Sequence, residues 1–149
     1  MCFLAGRKIL KNGNFKMKLT KETNTLNFTS RKIYSFISNV YNFKKILGND
    51  INDFTILDDE NFSAKIGSLP KINLKLELYD NQEKVKLVSS NPKMDFSFEF
   101  FVEKIDISKS KIKMDFFGNF SSMIEMMVKN PMDKFTQEII SKLDNIEFS

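Results

Sequence analysis

The side chains that most often carry out polar chemistry are scarce in this chain of 149 residues: it has no histidine and a single cysteine, Cys2. Without histidine there is no imidazole to act as general base or metal ligand, and one thiol cannot form an internal disulfide or a thiolate cluster. Acid–base chemistry would have to come from carboxylates, lysines and the three tyrosines. The triplet Asp58-Asp59-Glu60 concentrates negative charge. A hard cation, however, needs oxygens spaced around a glycine-bearing loop, so the triplet reads as a solvated turn. Glu77, Asp95, Glu99 and Asp115 all lie in alternating segments, on the polar parity, and Tyr79 shares that parity. They are expected to face water, where a carboxyl cannot be poised for catalysis by burial. Cys2 has no neighbouring imidazole to activate it and reads as incidental. Lys44-Lys45 beside Phe43 offers charge to a phosphate, but the pair reads as the exposed face of a short helix.

Charge is unevenly distributed. Residues 1–48 hold ten Lys or Arg against one acid, Glu22, while residues 49–149 hold thirteen against eighteen. A basic third can face nucleic acid or an anionic membrane. No nucleic-acid motif accompanies it, and the abundance of Lys, Asn, Ile and Phe matches A/T-rich codon usage, so nucleic acid is not the expected partner. No run of 18 apolar residues is present, which excludes a transmembrane helix. The opening residues lack the basic-then-apolar order of a signal peptide, and a cytoplasmic location is expected by default. Residues 1–16 show no clear period. They read as a poorly ordered extension, with Met17 as a second candidate start and residues 17–149 as one domain.

The remaining chain predicts a strand over Met17–Phe28, then a helix over Ser30–Asn39 capped at Thr29-Ser30, then a short helix over Asn42–Leu47. From Phe54 the period becomes two and stays so. Ile72, Leu74, Leu76 and Leu78 share one face; Met94, Phe96, Phe98, Phe100 and Val102 share another; Ile112, Met114 and Phe116 a third. Polar turns separate these segments, so the strands are hairpin-linked and antiparallel, with one dry face. From Ser121 or Ser122 the period is helical again through Ile124, Met127, Val128, Met132, Phe135, Ile139, Leu143 and Ile146. Pro131 lies within this stretch, which predicts a single bent helix. Met123 and Met126 fall off its apolar stripe, where exposed methionines could form a contact surface or line a pocket mouth, but the kink at Pro131 can swing them inward and packing is the favoured reading. The expected architecture is α+β: a seven-stranded curved antiparallel sheet with two short helices after strand 1 and a long C-terminal helix packed across it.

Two stretches carry a resemblance to a known family. In Phe28–Leu47, Thr29-Ser30 caps a helix that ends in the turn Ile37-Ser38-Asn39 before a second helix, with Ser30 where the family usually has Pro. In Met123-Ile124-Glu125-Met126-Met127, with Pro131-Met132 beyond, the final helix is similar to that of short, stand-alone bacterial members of unassigned function. The chain thus resembles the START-like (SRPBCC) helix-grip superfamily, which includes the birch-pollen-allergen fold, polyketide cyclases and lipid-transfer domains, over about residues 17–147. Neither stretch is a catalytic motif. The resemblance implies an apolar ligand (a lipid, isoprenoid or aromatic compound) held between sheet and long helix; from the composition, no cofactor or metal is expected. Its lining would be Leu74, Leu76, Leu87, Ser89, Phe96, Phe98, Phe100, Met114, Phe116, Met127, Phe135 and Ile139. The competing expectation is that these bulky side chains fill the space themselves. Two other functions stay open: an interaction protein acting on a protein or RNA partner, and an enzyme of the cyclase or aromatase type.

Overall fold

Alternation along the chain becomes seven strands: β1 (Met17–Glu22), β2 (Ile51–Ile56), β3 (Asn61–Ile66), β4 (Ile72–Leu78), β5 (Lys84–Ser89), β6 (Asp95–Lys104) and β7 (Ser110–Asn119). The structure, a computed structural model, describes residues 17–47, 51–66, 70–79, 81, 83–90 and 94–148. The expectation for residues 1–16 lies outside them, as do Gly48-Asn49 and parts of the turns at 80–82 and 91–92. The strands form one antiparallel sheet in the order β1-β7-β6-β5-β4-β3-β2. Each hairpin from β2 onward pairs sequence neighbours, and β1 returns to pair with the last strand. Leu87, Phe98 and Phe116 lie opposite one another across β5, β6 and β7, so the dry faces of three strands meet in register. Leu76, Phe98 and Met114 are all buried, on the parity expected. In β2 the register shifts between Asn52 and Thr55, where Asp53 takes a φ of 53°, a left-handed conformation that Asp tolerates better than most residues.

Helix α1 (Ser30–Ile37) is capped by Thr29, whose hydroxyl accepts from the Lys32 amide at 3.1 Å. A single 3₁₀ turn (Val40–Asn42) leads into α2 (Phe43–Ile46). Together α1, the 3₁₀ turn and α2 bury Ile33, Ile37, Val40, Phe43 and Ile46. The last helix, α3 (Ser122–Asn145), is capped by Ser121, whose hydroxyl accepts from the Ile124 amide at 3.3 Å, and Glu125 in its first turn suits the positive end of the dipole. It continues through Pro131 as one element. Helix α1 lies against β6 and β7, and α3 lies against β1 and α2.

β1 ends six residues earlier than the periodicity predicts. The Thr23 hydroxyl donates to the Asn24 carbonyl at 2.8 Å and accepts from the Ile112 amide at 3.0 Å, which stands in for the next rung of the ladder. Pairing then reduces to an isolated bridge between Leu26 and Ser110.

Candidate functional site

The dry face of the sheet and the inner stripe of α3 enclose the apolar space in which a ligand is expected. Leu74, Leu76, Leu87, Ser89, Phe96, Phe98, Phe100, Met114, Phe116, Phe135 and Ile139 are all buried. Strand parity brings the rings together. The Phe98 ring centroid is 5.0 Å from that of Phe116, 5.8 Å from Phe96 and 6.2 Å from Phe135 on α3. Phe43 of α2 extends the cluster, 5.9 Å from Phe62 and 6.1 Å from Phe100. Spacings of this size are direct aromatic contact. The side chains expected to line a cavity therefore touch one another.

Met127 is a correction. It is 69% exposed and lies outside this space. At 100° per residue it sits about 60° from Ile124, which is itself only half-buried at the edge of the stripe. The buried stripe begins at Val128 and continues through Met132, Phe135, Thr136, Ile139, Ile140 and Leu143. Met123 and Met126 are a second correction: the bend at Pro131 does not swing them inward to pack, and both are exposed, as their place off the stripe dictates.

Several buried groups escaped sequence reasoning. Phe120, just beyond β7, packs against Gly118, and its ring lies 6.5 Å from that of Phe96. Phe148 turns back after α3 to meet Phe28 at 5.3 Å and Phe36 at 5.1 Å. Phe120 continues the even parity of Ile112, Met114 and Phe116 beyond the residues assigned to that face, whereas Phe148 falls in no periodic run.

Polar groups at this space are few and mostly satisfied. The Ser89 hydroxyl donates to the Met94 carbonyl at 2.7 Å, and the Thr136 hydroxyl to the Asp133 carbonyl at 2.9 Å. The Ser110 hydroxyl is buried and finds no partner among the described residues. At the rim, Lys21 and Asp133 form an ion pair at 3.2 Å that ties β1 to α3. The Asn24 amide donates to the Asp144 carboxylate at 2.8 Å, a second tie to the helix.

The carboxylates of the strands engage one another's neighbours on the other face. Lys84 pairs with Glu99 at 3.0 Å, the Thr20 hydroxyl donates to Asp115 at 2.8 Å, and Glu77 lies opposite Lys86. Tyr79 is exposed, with the Lys84 ammonium 4.7 Å from its ring centre. The shifted pKa values also belong to the exterior. Asp58 is held below the usual carboxylate value by the Asn61 side-chain amide and the Glu60 backbone N–H, and Asp106 by the Ser108 N–H. Asp58-Asp59-Glu60 is an exposed turn closed by those hydrogen bonds. Among the described residues, no group of three carboxylate or thiol side chains is placed to hold a metal.

Two open polar grooves flank α1. One, of about 650 Å³, is lined by Ser30, Arg31, Tyr34, Ser35, Ser38, Asn81 and Glu83. The other, of about 290 Å³, runs from Ser38 past Asp59, Glu60 and Lys75 to Leu78. Of the expected lining residues only Leu76 reaches either.

No protein-family model matches the chain, and a search of curated proteins found no significant match. Solved structures do match in fold. A START superfamily protein from Mycobacterium smegmatis superposes with a TM-score of 0.69 at 10% identity, over 85% of this chain and 94% of that one. Norcoclaurine synthase from Thalictrum flavum, in complex with dopamine and hydroxybenzaldehyde, gives 0.64 at 13% identity, over 99% and 98%. The di-domain ARO/CYC BexL from the BE-7585A biosynthetic pathway gives 0.63 at 12% identity, over 86% of this chain and 45% of that one. The chain has the START-like helix-grip fold.

Proposed function

We propose that this protein is a binding module for an apolar small molecule (a lipid, an isoprenoid or an aromatic compound) held between the sheet and α3. The observation that carries this reading is the lining. Eleven of the twelve expected residues are buried, and all but Ser89 of those are apolar. The hydroxyl of Ser89 is already engaged by the Met94 carbonyl. Such a surface offers a ligand dispersion and desolvation, and little to hold charge. The fold supports the same reading, since helix-grip proteins commonly hold apolar ligands in this position. Because Phe96, Phe98, Phe116 and Phe135 are in contact, a ligand has to displace part of that cluster, and its affinity is reduced by the work of doing so.

The test is a screen of fatty acids, isoprenoids and polycyclic aromatics against the full chain. It is read by thermal shift and by native mass spectrometry of protein purified from its host. A binder present at about a hundred times its Kd adds roughly 2.7 kcal/mol, a clear rise in Tm. If no apolar compound moves the melting point and no adduct mass travels with the purified protein, the reading is wrong.

A further inference from the structure

One hydroxyl in the interior is left without a hydrogen bond. Ser110, the first residue of β7, is fully buried, and its hydroxyl meets no partner among the described residues. Its backbone is already used: the N–H donates to the Leu26 carbonyl at 3.1 Å, and the carbonyl accepts from the Leu26 N–H at 2.7 Å. Ser110 shares a parity with Ile112, Met114 and Phe116, all buried, so its side chain leaves the strand on the dry face of the sheet. A buried hydroxyl without a partner is costly, and folded proteins rarely keep one.

The other buried polar side chains are in a different state. Thr23 donates to the Asn24 carbonyl, Ser89 to the Met94 carbonyl and Thr136 to the Asp133 carbonyl. Ser63 and Ser97 alternate with the inward Phe62, Ala64, Phe96 and Phe98, and so lie on the opposite face of the sheet. Among the described residues no lysine, arginine or carboxylate is buried. The described interior therefore offers a ligand one open hydrogen-bonding group and no charge to balance its own.

We propose that Ser110 is the polar anchor of the ligand site, and that the ligand is an apolar molecule carrying an uncharged oxygen, an alcohol or a ketone, which hydrogen-bonds the Ser110 hydroxyl. This inference rests on the binding function proposed above and narrows its ligand class. A hydrocarbon leaves the hydroxyl as it is in the free protein and gains nothing from it. An alcohol or ketone supplies the missing partner, and a serine hydroxyl can donate to either or accept from the alcohol. A carboxylate also accepts, but it would be buried with no cation beside it, and the cost of taking that charge out of water outweighs one hydrogen bond. The ligand selected is thus neutral and oxygenated, and the anion of a fatty acid is disfavoured.

The experiment is calorimetric titration of the full chain with two matched sets: decane, 1-decanol and decanoate, and naphthalene, 2-naphthol and 2-naphthoate. It is run at about pH 8, where the carboxylates are ionised. In the set whose skeleton fits, the alcohol is expected to bind about tenfold tighter than the hydrocarbon, and the carboxylate at least tenfold weaker than the alcohol. Ser110→Ala should bind the hydrocarbon as the parent does and lose the preference for the alcohol, with a Tm no lower than the parent's, since the hydroxyl it removes has no partner in the free protein. That Tm separates a lost anchor from a damaged fold. A parent that binds alcohol and hydrocarbon equally, a carboxylate that binds tightest, or an S110A variant that keeps the preference would overturn this inference and leave the apolar binding function standing. If no member of either set binds, the binding function fails and the anchor fails with it.

Discussion

Two buried hydroxyls at the β1–β7 junction show how much the partner of a polar atom matters. The Thr23 hydroxyl accepts from the Ile112 amide, so it completes a ladder that β1 no longer supplies. Replacing it in Thr23→Val leaves that amide buried and unpaired, which costs about 1–3 kcal/mol. Ser110 is the opposite case. Its backbone N–H and carbonyl are both bonded to Leu26, but its hydroxyl is buried without a partner among the described residues. Ser110→Ala should therefore be neutral or stabilising, within about 1 kcal/mol. Urea unfolding of the two variants should move the midpoints in different directions or by clearly different amounts; similar losses would contradict this account. Gly118 makes a third case, based on space. A Cβ there would lie 2.5 Å from the ring of Phe120, which is itself buried. Gly118→Ala should cost about 1–3 kcal/mol as the ring is forced aside. A variant with an unchanged Tm would show that Phe120 moves freely.

Among the elements, α3 shows both what the sequence reveals and what it conceals. The strands were legible because a two-residue period assigns each side chain to a face: Leu74, Leu76, Phe96, Phe98, Phe100, Met114 and Phe116 all lie inward as that parity requires. A helix is less decisive, because its apolar stripe has soft edges and only the packing shows where cover ends. Met127 therefore belongs to the stripe by spacing, yet lies outside it. Phe148 carries no periodic signal because it sits in a terminal segment whose path is set by tertiary contacts, whereas Phe120 continues the parity of β7 one step past its end. The early end of β1 was equally hidden, since it turns on one threonine hydroxyl bonded 89 residues away. Whether the enclosed space is empty or filled was also beyond periodicity, because apolar lining suits both. The ring contacts show that several of these side chains touch one another, and they lead to a prediction about the grip of α3 on the sheet. Phe98 touches Phe116 and Phe135 at once, so Phe98→Ala should cost about 3–5 kcal/mol and leave a cavity. The same variant should bind a small aromatic such as benzene or indole more tightly than the parent, because the displacement work has been removed. Calorimetry on both proteins checks this. A variant that loses stability but gains no aromatic affinity would mean that the space collapses when Phe98 is cut back.

For the molecule as a whole, the absence of histidine sets the pH response. Asp58 and Asp106 are held below the ordinary value of 3.8, the first by the Asn61 side chain ahead of the Glu60 amide, the second by the Ser108 amide. Glu22 is held below 4.5 by its hydrogen bond to the Lys111 ammonium, and Lys111 is raised above 10.5 by the same contact. For the three carboxylates the folded pKa is lower than the unfolded one. Their contribution is complete above the ordinary carboxylate values and is lost as pH falls through the depressed ones. For Lys111 the folded pKa is the higher. Its contribution is complete below 10.5 and is lost as pH rises past the raised value. The three carboxylates are exposed and Lys111 is half-buried at the surface, so each effect is small and weakened by salt. With no imidazole titrating, stability should be level from about pH 6 to 8, with an acid limb that starts as pH drops toward the carboxylate range. Replacing both loop carboxylates, D58N/D106N, should make that limb shallower without changing the plateau's width. Urea midpoints measured across the pH range test this directly. A sharp step near neutral pH, or an acid limb of unchanged slope in the double variant, would mean that groups other than these loop carboxylates govern the folded state's response to protons.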